Sequence, residues 1–377
     1  MKIYLLSPHK FPTRNPRTLR IEGVRKILSQ KWTVQTLSSR LQRKINDKKN
    51  PTSYNLSKTR FARLLKLIAF PDVYIIDNII IAFKYIFIHS NKDNVFITFS
   101  HPFSTHFTGL VSKMIWPKRI WIADIGDLYL NNPNQKLPKW VSPLLRCFES
   151  LVLNKSDYVI LNSEEIFEHY KNNFQLNTLK TRVIYNGSLL NFVGLKSITN
   201  NFTNLSFIGN TYENVREGIK ELQLILDTIN SLHCKEIHTQ IYLAGTQYIR
   251  LLEQFQHNPG INFIPALKEI DLLELYQKTN ILINFANKNY PGLPSKLYEY
   301  MLTGLPIIHF TFGSPDPSIP FLSDYPKFLI FHLELDKPEK LINFILENKN
   351  SCISSVPNPK YSPDDKWISL INSLDKH

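Results

Sequence analysis

ILINFANKNYPGLPSKLYEYMLTGLPIIHF, residues 281–310, is the stretch that decides the fold of this chain. Its apolar runs Ile281–Phe285 and Pro306–Phe310 are typical of buried parallel strands. Between them, Ser295–Thr303 carries a helical pattern and starts with a residue type that is favoured at helix N-termini. The stretch therefore predicts a strand–helix–strand unit of a parallel α/β sheet.

The same alternation extends along the whole chain. Further strands are predicted at Lys2–Leu6, Thr33–Leu37, Val73–Ile76, Val95–Phe99, Ile120–Ala123, Tyr158–Leu161, Arg182–Tyr185, Asn204–Ile208, Thr239–Leu243, Ile261–Phe263 and Phe328–Phe331. Helices are predicted at Arg17–Gln30, Pro143–Leu153, Arg216–Leu232, Ile270–Lys278 and Trp367–Leu374. The pattern restarts after a polar segment at 195–203, which we interpret as a linker.

We predict an α/β fold of two Rossmann-like domains with parallel sheets that face each other across a cleft. Residues 1–190 would form the N-terminal, acceptor-binding domain and residues 200–348 the C-terminal, ligand-binding domain. Residues 349–377 would form a tail that returns towards the N-terminal domain. Ligands of such sheets bind beyond the carboxyl ends of the strands, so function is expected in the cleft.

Bulk composition excludes several classes of protein. With 377 residues, 43% hydrophobic and 20% charged, the chain can bury a core in each half and is not a disordered tail. Its three cysteines contain no CxxC pair, so neither a disulfide framework nor a zinc site is indicated. No signal peptide is recognisable, and the apolar run 73–88 is interrupted by polar residues. A cytoplasmic protein without a membrane span is the expectation.

Charge is distributed unevenly along the chain. Residues 1–190 contain 29 lysines and arginines against 12 aspartates and glutamates, whereas residues 191–377 contain 16 against 19. A basic half indicates a polyanionic partner such as an acidic membrane surface or nucleic acid. Residues 57–70 interleave cations with large apolar groups, which is typical of an interfacial helix. A helix packed on the first sheet would show the same pattern.

Three residues around the 295–303 helix suit a nucleotide ligand. Backbone N–H groups at a helix N-terminus attract phosphate, and Ser295 and Lys296 add a hydroxyl and a cation at the same place. Glu299 follows one turn later on the same face, where a carboxylate can accept both hydroxyl protons of a ribose. An ordinary amphipathic helix with a serine cap is the alternative.

The passage from Tyr290 to Pro306 resembles the nucleotide-sugar signature of family 4 and related GT-B glycosyltransferases, in the group 1 superfamily. The resemblance implies that Ser295 and Lys296 meet the donor diphosphate and that Glu299 binds the ribose. It also implies catalysis without a metal ion or other cofactor, with a UDP-sugar favoured as donor. Many family members carry a second glutamate eight positions earlier, but Pro291 stands there in this chain.

Two further stretches resemble the same family. The loop after the predicted strand Asn204–Ile208 implies donor contacts from Gly209, Asn210 and Arg216. An arginine suits a diphosphate because its guanidinium is always charged and presents two donors side by side.

Residues 98–127 resemble the family's acceptor-side pattern. Asp127, at the end of a predicted strand, is the first candidate for a catalytic base, and His101 and Asp124 compete with it. The expected function is sugar transfer from a nucleoside diphosphate to a hydroxyl of a glycan or glycolipid, with retention, in bacterial surface polysaccharide synthesis. A nucleotide-sugar epimerase of the same fold and a basic nucleic-acid-binding protein are the alternatives.

Overall fold

The structure of the protein is a computed structural model. It describes residues 1–7, 16–37, 75–88, 94–100, 102–130, 141–192, 195–198, 202–233, 238–288, 290, 292–313, 316–354 and 362–374. The chain divides into two compact units. Unit 1 comprises Met1–Leu189 and Ser362–His377, and unit 2 comprises Leu190–Tyr361.

Unit 1 is built on a parallel sheet. Its described strands are β1 (Lys2–Leu6), β2 (Thr33–Leu37), β3 (Val95–Phe99), β4 (Ile120–Ile125), β5 (Tyr158–Leu161) and β6 (Thr181–Val183). They lie in the order β2-β1-β3-β4-β5-β6, and each pairing is parallel. The central strand β3 is buried along its whole length, as expected for a sheet that helices cover on both faces.

Helices cover the two faces of this sheet. The described helices are α1 (Pro16–Leu28), α2 (Ile75–Ile88), α3 (Thr105–Ile115), α4 (Ser142–Lys155), α5 (Glu164–Asn173) and a C-terminal helix (Pro363–Leu374). The C-terminal helix packs on α1, and its Trp367 shares a buried cluster with Ile122 of β4. Trp121, which precedes Ile122 in β4, faces α3 on the other side of the sheet, because successive side chains of a strand point to opposite faces.

Unit 2 contains a second parallel sheet. Its described strands are β7 (Thr203–Ile208), β8 (Thr239–Ala244), β9 (Ile261–Ile264), β10 (Ile281–Phe285), β11 (Ile307–Thr311) and β12 (Phe328–His332). The order is β12-β11-β10-β7-β8-β9, so the chain reverses its direction across the sheet between β7 and β10. The described helices of unit 2 are α6 (Ile219–His233), α7 (Ile249–Phe255), α8 (Glu269–Lys278), α9 (Leu297–Thr303), α10 (Ser318–Leu322) and α11 (Pro338–Asn348). Two parallel α/β sheets confirm the predicted fold class.

Two of the local predictions that differ from the structure concern residues 73–76 and the helix predicted from Ser295. The strand expected at Val73–Ile76 is absent from its described part, because Ile75 already begins helix α2. An apolar run of this length suits a buried helix as well as a strand. Inside this run, Nδ2 of the buried Asn78 donates to Ser104 Oγ at 2.7 Å. The helix expected from Ser295 begins two residues later, at Leu297, and Ser295 and Lys296 form a turn before it.

Candidate functional site

The candidate site of unit 2 lies where the strand order reverses. Crevices at such switch points, beyond the carboxyl ends of the strands, are the usual ligand sites of open α/β sheets. Here the loop 209–218 follows β7, and the loop 286–296 follows the neighbouring β10. The amide of Lys288 donates to the Val215 carbonyl oxygen at 2.7 Å, so the two loops are hydrogen-bonded to each other.

The loop 209–218 is also bonded to the loop after β8. The Gly209 amide donates to the Ala244 carbonyl at 2.9 Å, and Asn210 Oδ1 accepts from the Thr246 amide at 2.9 Å. Gly245 has φ +127°, and a Cβ there would lie 2.2 Å from the Gly209 carbonyl oxygen. The close approach of these two loops at Gly209 therefore depends on Gly245, which the sequence reasoning missed.

Arg216 places its charged side chain between the loop after β7 and the loop after β10. Its backbone pairs with Tyr212 in a tight antiparallel bridge, which Asn214 closes with φ 62°. Its Nη2 donates to Asn287 Oδ1 at 2.6 Å, whereas its buried Nε has no hydrogen-bond partner among the described residues. Burial lowers the pKa of Arg216, and the neighbouring Tyr212, Tyr300 and Asp316 raise it in part. A partly buried guanidinium whose Nε–H has no partner among the described residues suits an anionic ligand.

At the start of α9, one of the backbone N–H groups predicted to attract phosphate already has a partner within the chain. The Leu297 amide already donates to the Pro294 carbonyl oxygen at 3.0 Å. Lys296 stands at the N-cap without a side-chain cap, and Ser295 is exposed. Gly304 ends the helix in the left-handed region, with φ 68°, as expected for a C-cap glycine.

Glu299 is a buried carboxylate with two identified donors. It is only 8% exposed. Its Oε1 accepts from the Tyr276 hydroxyl at 2.7 Å and from Lys296 Nζ at 2.5 Å. Burial and the adjacent Glu299 charge raise the pKa of Tyr276 well above its usual range, so Tyr276 is a neutral donor. The carboxylate is therefore oriented by α8 as well as by its own helix.

Tyr300, the next residue, bonds α9 to the end of β7. Its hydroxyl accepts from the Ile208 amide at 2.7 Å and donates to the Ile208 carbonyl oxygen at 3.2 Å. Burial raises the pKa of Tyr300, so this hydroxyl keeps its proton. The bond fixes Glu299 relative to Gly209 and Asn210, which directly follow Ile208. The structure thus brings the six predicted donor-side residues to adjoining loops.

The sequence of this region matches a known family. Residues 203–320 match the family model described as glycosyl transferases group 1. Unit 2 contains a group 1 glycosyltransferase domain. The match confirms the predicted enzyme class. A search of curated protein sequences finds no match to this chain.

Solved structures with a similar fold include transferases and an epimerase. Sucrose-phosphate synthase from Thermosynechococcus elongatus superposes with a TM-score of 0.62 at 13% identity, over 99% of this chain and 94% of that one. A glycosyltransferase from Rickettsia africae gives 0.55 at 13% identity, with the same two coverages of 99% and 94%. The UDP-GlcNAc 2-epimerase from Neisseria meningitidis, bound to UDP-GlcNAc, gives 0.56 at 11% identity over 100% of both chains. These likenesses confirm the GT-B fold.

On unit 1, the structure separates the competing acidic candidates. Asp124, within β4, is buried and accepts from Arg20 Nε at 2.8 and 3.0 Å. The same guanidinium donates to Asn186 Oδ1 and to the Ile184 carbonyl oxygen. Burial raises the pKa of Asp124 and Arg20 lowers it. These contacts assign Asp124 to the connection between β4, α1 and the segment after β6.

Asp127 lies two residues beyond the end of β4 and is half-buried. Its position at the carboxyl edge of the sheet is the one expected for a residue that meets a ligand. His101, the other catalytic candidate, lies outside the described residues. The catalytic roles of both remain predictions.

A buried carboxyl of α4 supports the loop that carries Asp127. Glu149 accepts from the Tyr170 hydroxyl at 2.5 Å and interacts with the amides of Tyr129 and Leu130. Tyr129 also stacks on Phe103, with ring centroids 4.5 Å apart. Burial raises the pKa of Glu149 to about 7, although these hydrogen bonds lower it.

Unit 2 has a comparable group in the first turn of α6. Glu221 is buried, and its pKa is raised to about 7, first by burial and then by the charge of Glu217. Lys220 and Lys288 lower it in part. Because Lys288 belongs to the loop after β10, this carboxyl adjoins the candidate donor site.

Because Glu149 and Glu221 have raised pKa values, we expect the protein to lose stability as the pH rises. The folded pKa of about 7 lies above the ordinary value of 4.5 for both groups, so the native state binds more protons between these pH values. We expect the free energy of unfolding to fall by roughly 2 kcal/mol for each carboxyl between pH 5.5 and 8. Glu149→Gln and Glu221→Gln should each remove about half of this dependence in urea titrations. The exposed Glu168→Gln is the control, and an unchanged slope in either buried variant would contradict the prediction.

Two absences concern the described residues only. Within them, no group of three or more histidine, cysteine, aspartate or glutamate side chains is arranged to hold a metal ion. None of the helices in the described ranges is both long enough and apolar enough to cross a membrane.

Proposed function

We propose that this chain transfers a sugar from a nucleoside diphosphate, preferably UDP, to a hydroxyl of a glycan or glycolipid in bacterial surface polysaccharide synthesis. The observation that carries the proposal is the arrangement of Glu299, Lys296 and Arg216 on adjoining loops at the switch point of unit 2. The group 1 match over the same residues favours transfer. The proposed location is cytoplasmic, at the inner face of the membrane, and the segment 57–70 that motivated a membrane contact lies outside the described residues.

Charge complementarity supports a diphosphate at this site. Lys296 has three donor hydrogens and uses one for Glu299. Arg216 has a buried, unused Nε–H. We propose that both cations contact the diphosphate, with Ser295 adding its hydroxyl, and that ribose hydroxyls donate to Glu299. Gly209 and Asn210 would then line the donor through the loop after β7.

The proposed reaction breaks the bond between the anomeric carbon and the diphosphate oxygen. The acceptor oxygen bonds to that carbon, and the electron pair of the broken bond leaves on the diphosphate. Arg216 and Lys296 stabilise the charge that develops there, without a metal ion in this proposal. The acceptor proton passes to a departing phosphate oxygen, and configuration is retained. If Asp127 accepts that proton instead, the product is inverted, so the product's anomeric configuration distinguishes the two routes.

A nucleotide panel tests donor binding directly. At a hundred times its dissociation constant a ligand stabilises the native state by about 2.7 kcal/mol, which corresponds to a rise in Tm of roughly 5–10 °C. We expect UDP to give this shift and GDP, CMP and ADP to give less. Arg216→Ala should abolish it, whereas Lys340→Ala, which removes an exposed cation on α11, should not. No rise in Tm with any of the four nucleotides would overturn the proposal.

Epimerisation is a second candidate function, because a UDP-GlcNAc 2-epimerase matches the fold over the full length of both chains. An epimerase consumes the nucleotide sugar without an acceptor. Incubation of the enzyme with UDP-sugars alone, followed by chromatography, separates the two functions. Release of UDP that requires an added acceptor supports transfer, and turnover without an acceptor supports epimerisation.

A further inference from the structure

One helical face of unit 1 exposes large apolar side chains. The helices α2, α3 and α4 lie side by side. Together they carry five of the six exposed large apolar residues in the described part of unit 1, namely Phe83, Met114, Ile115, Leu144 and Leu151. Those of unit 2 are scattered over separate loops and helices. Exposed large apolar side chains concentrated on neighbouring helices indicate an interaction site.

The most exposed part of this face is the end of α3 and the turn after it, residues 114–118, which we call the α3 tip. Met114 is 74% exposed and Ile115 is 50% exposed. Trp116 follows, partly buried, with the Arg119 guanidinium 5.1 Å from its ring centroid. Pro117 and Lys118 complete the tip, and both are exposed.

The exposed charged side chains of α3, its tip and α4 are cations, and the nearby Asp157 is paired with Lys113. Helix α3 contains no acidic residue, and the only one in α4, Glu149, is buried. The exposed charged residues of α4 are Arg146 and Lys155, and Lys118 lies at the α3 tip. Cations that surround exposed apolar side chains are complementary to a surface that is anionic outside and apolar just beneath. A soluble acidic protein would complement the charges, but it would not explain why the apolar side chains are exposed.

We propose that the outer face of α2, α3 and α4 binds an anionic lipid bilayer, with the α3 tip inserted among the headgroups. Leu144 lies in the first turn of α4, at the carboxyl ends of the strands, and the α3 tip lies at their amino ends. The apolar residues therefore extend across the whole height of the face. Membrane contact would place the loop of Asp127, which follows β4, next to the bilayer. The identification of this bilayer with the membrane that holds the acceptor rests on the proposed function.

Vesicle sedimentation without any nucleotide sugar tests the face separately from the enzyme activity. The full-length protein should bind vesicles of phosphatidylcholine with 30% phosphatidylglycerol, and bind phosphatidylcholine alone at least about tenfold more weakly. The double variant Met114→Gln/Ile115→Asn should weaken binding to the anionic vesicles by roughly tenfold or more. Both side chains are exposed, so the fold is not at stake.

The matched control is Ile249→Asn/Leu335→Gln, which removes two apolar side chains of unit 2 that are 59% and 81% exposed. It should bind vesicles like the unmodified protein. Wild-type affinity in the α3-tip variant would overturn the inference and assign any binding to another segment, such as residues 57–70. Equal binding to vesicles and to soluble polyglutamate would also overturn it, because a protein-like polyanion would then suffice. A protein that binds vesicles but transfers no sugar would refute only the proposed function.

Discussion

Replacing Glu299 with glutamine is expected to lower kcat/KM for the nucleotide sugar by roughly 100- to 1000-fold while the protein remains folded. Hydrogen bonds to charged groups contribute about 1.5–3 kcal/mol each, and each 1.4 kcal/mol is a factor of ten. Glutamine keeps an oxygen for the Tyr276 hydroxyl but loses the negative charge that pairs with Lys296. The ribose would lose its anionic acceptor, and the Lys296 ammonium would lose its fixed position.

Tyr276→Phe is the companion variant. It removes one donor to Glu299 and leaves the carboxylate, so a loss of about tenfold is expected. Initial rates over a range of donor concentrations measure both variants, and urea unfolding checks that each is folded. Wild-type kcat and KM in Glu299→Gln would show that this carboxylate does not contact the donor. A larger loss in Tyr276→Phe than in Glu299→Gln would indicate that Tyr276 itself meets the substrate.

Much of the fold could be predicted from local sequence patterns. Val95–Phe99 and Ile281–Phe285 were assigned with their observed bounds, because short apolar runs between turn residues suit buried parallel strands. The strand predicted at Val73–Ile76 is wrong in its described part, since an apolar run looks the same in a strand and in a buried helix. What distinguishes them here is tertiary: Asn78 in the middle of the run bonds to Ser104, 26 residues away.

The residues of the candidate site were predictable where they belong to short motifs, whereas the contacts that support them were not. Ser295, Lys296 and Glu299 lie within one motif, and their roles as donor ligands stay predictions. Their supporting contacts come from distant positions: Tyr276 is 23 residues from Glu299, and Ile208 is 92 residues from Tyr300. The sequence does not indicate such partners, because a tyrosine in an amphipathic helix has the same pattern as an ordinary core residue.

Asp124 in β4 and Asp127 beyond its end show the same limit. Both follow the apolar start of the strand in the sequence. The ion pair that engages Asp124 comes from Arg20, 104 residues earlier. Only the folded sheet brings Arg20 and Asp124 together.

Gly109→Ala is expected to destabilise unit 1 by roughly 3–5 kcal/mol or to prevent its accumulation. A Cβ at this position would lie 2.2 Å from Cε2 of Trp121. The indole cannot yield easily, because it is fully buried and its Nε1 donates to Thr98 Oγ1 at 2.8 Å. The added methyl group would therefore separate α3 from β4.

Gly23→Ala on α1 is the matched control, since its nearest atom, Leu189 Cδ2, would lie 3.9 Å from the new Cβ. Alanine exceeds glycine in helix propensity, so this variant should gain about 0.5–1 kcal/mol in the free energy of unfolding. If Gly109→Ala fails to fold, Gly109→Ala/Trp121→Leu provides the second measurement, because the smaller side chain makes room for the methyl group. We expect the double variant to recover soluble protein. Equal stability of Gly109→Ala and Gly23→Ala would mean that α3 and β4 can separate freely, contrary to the close contact between this glycine and the indole.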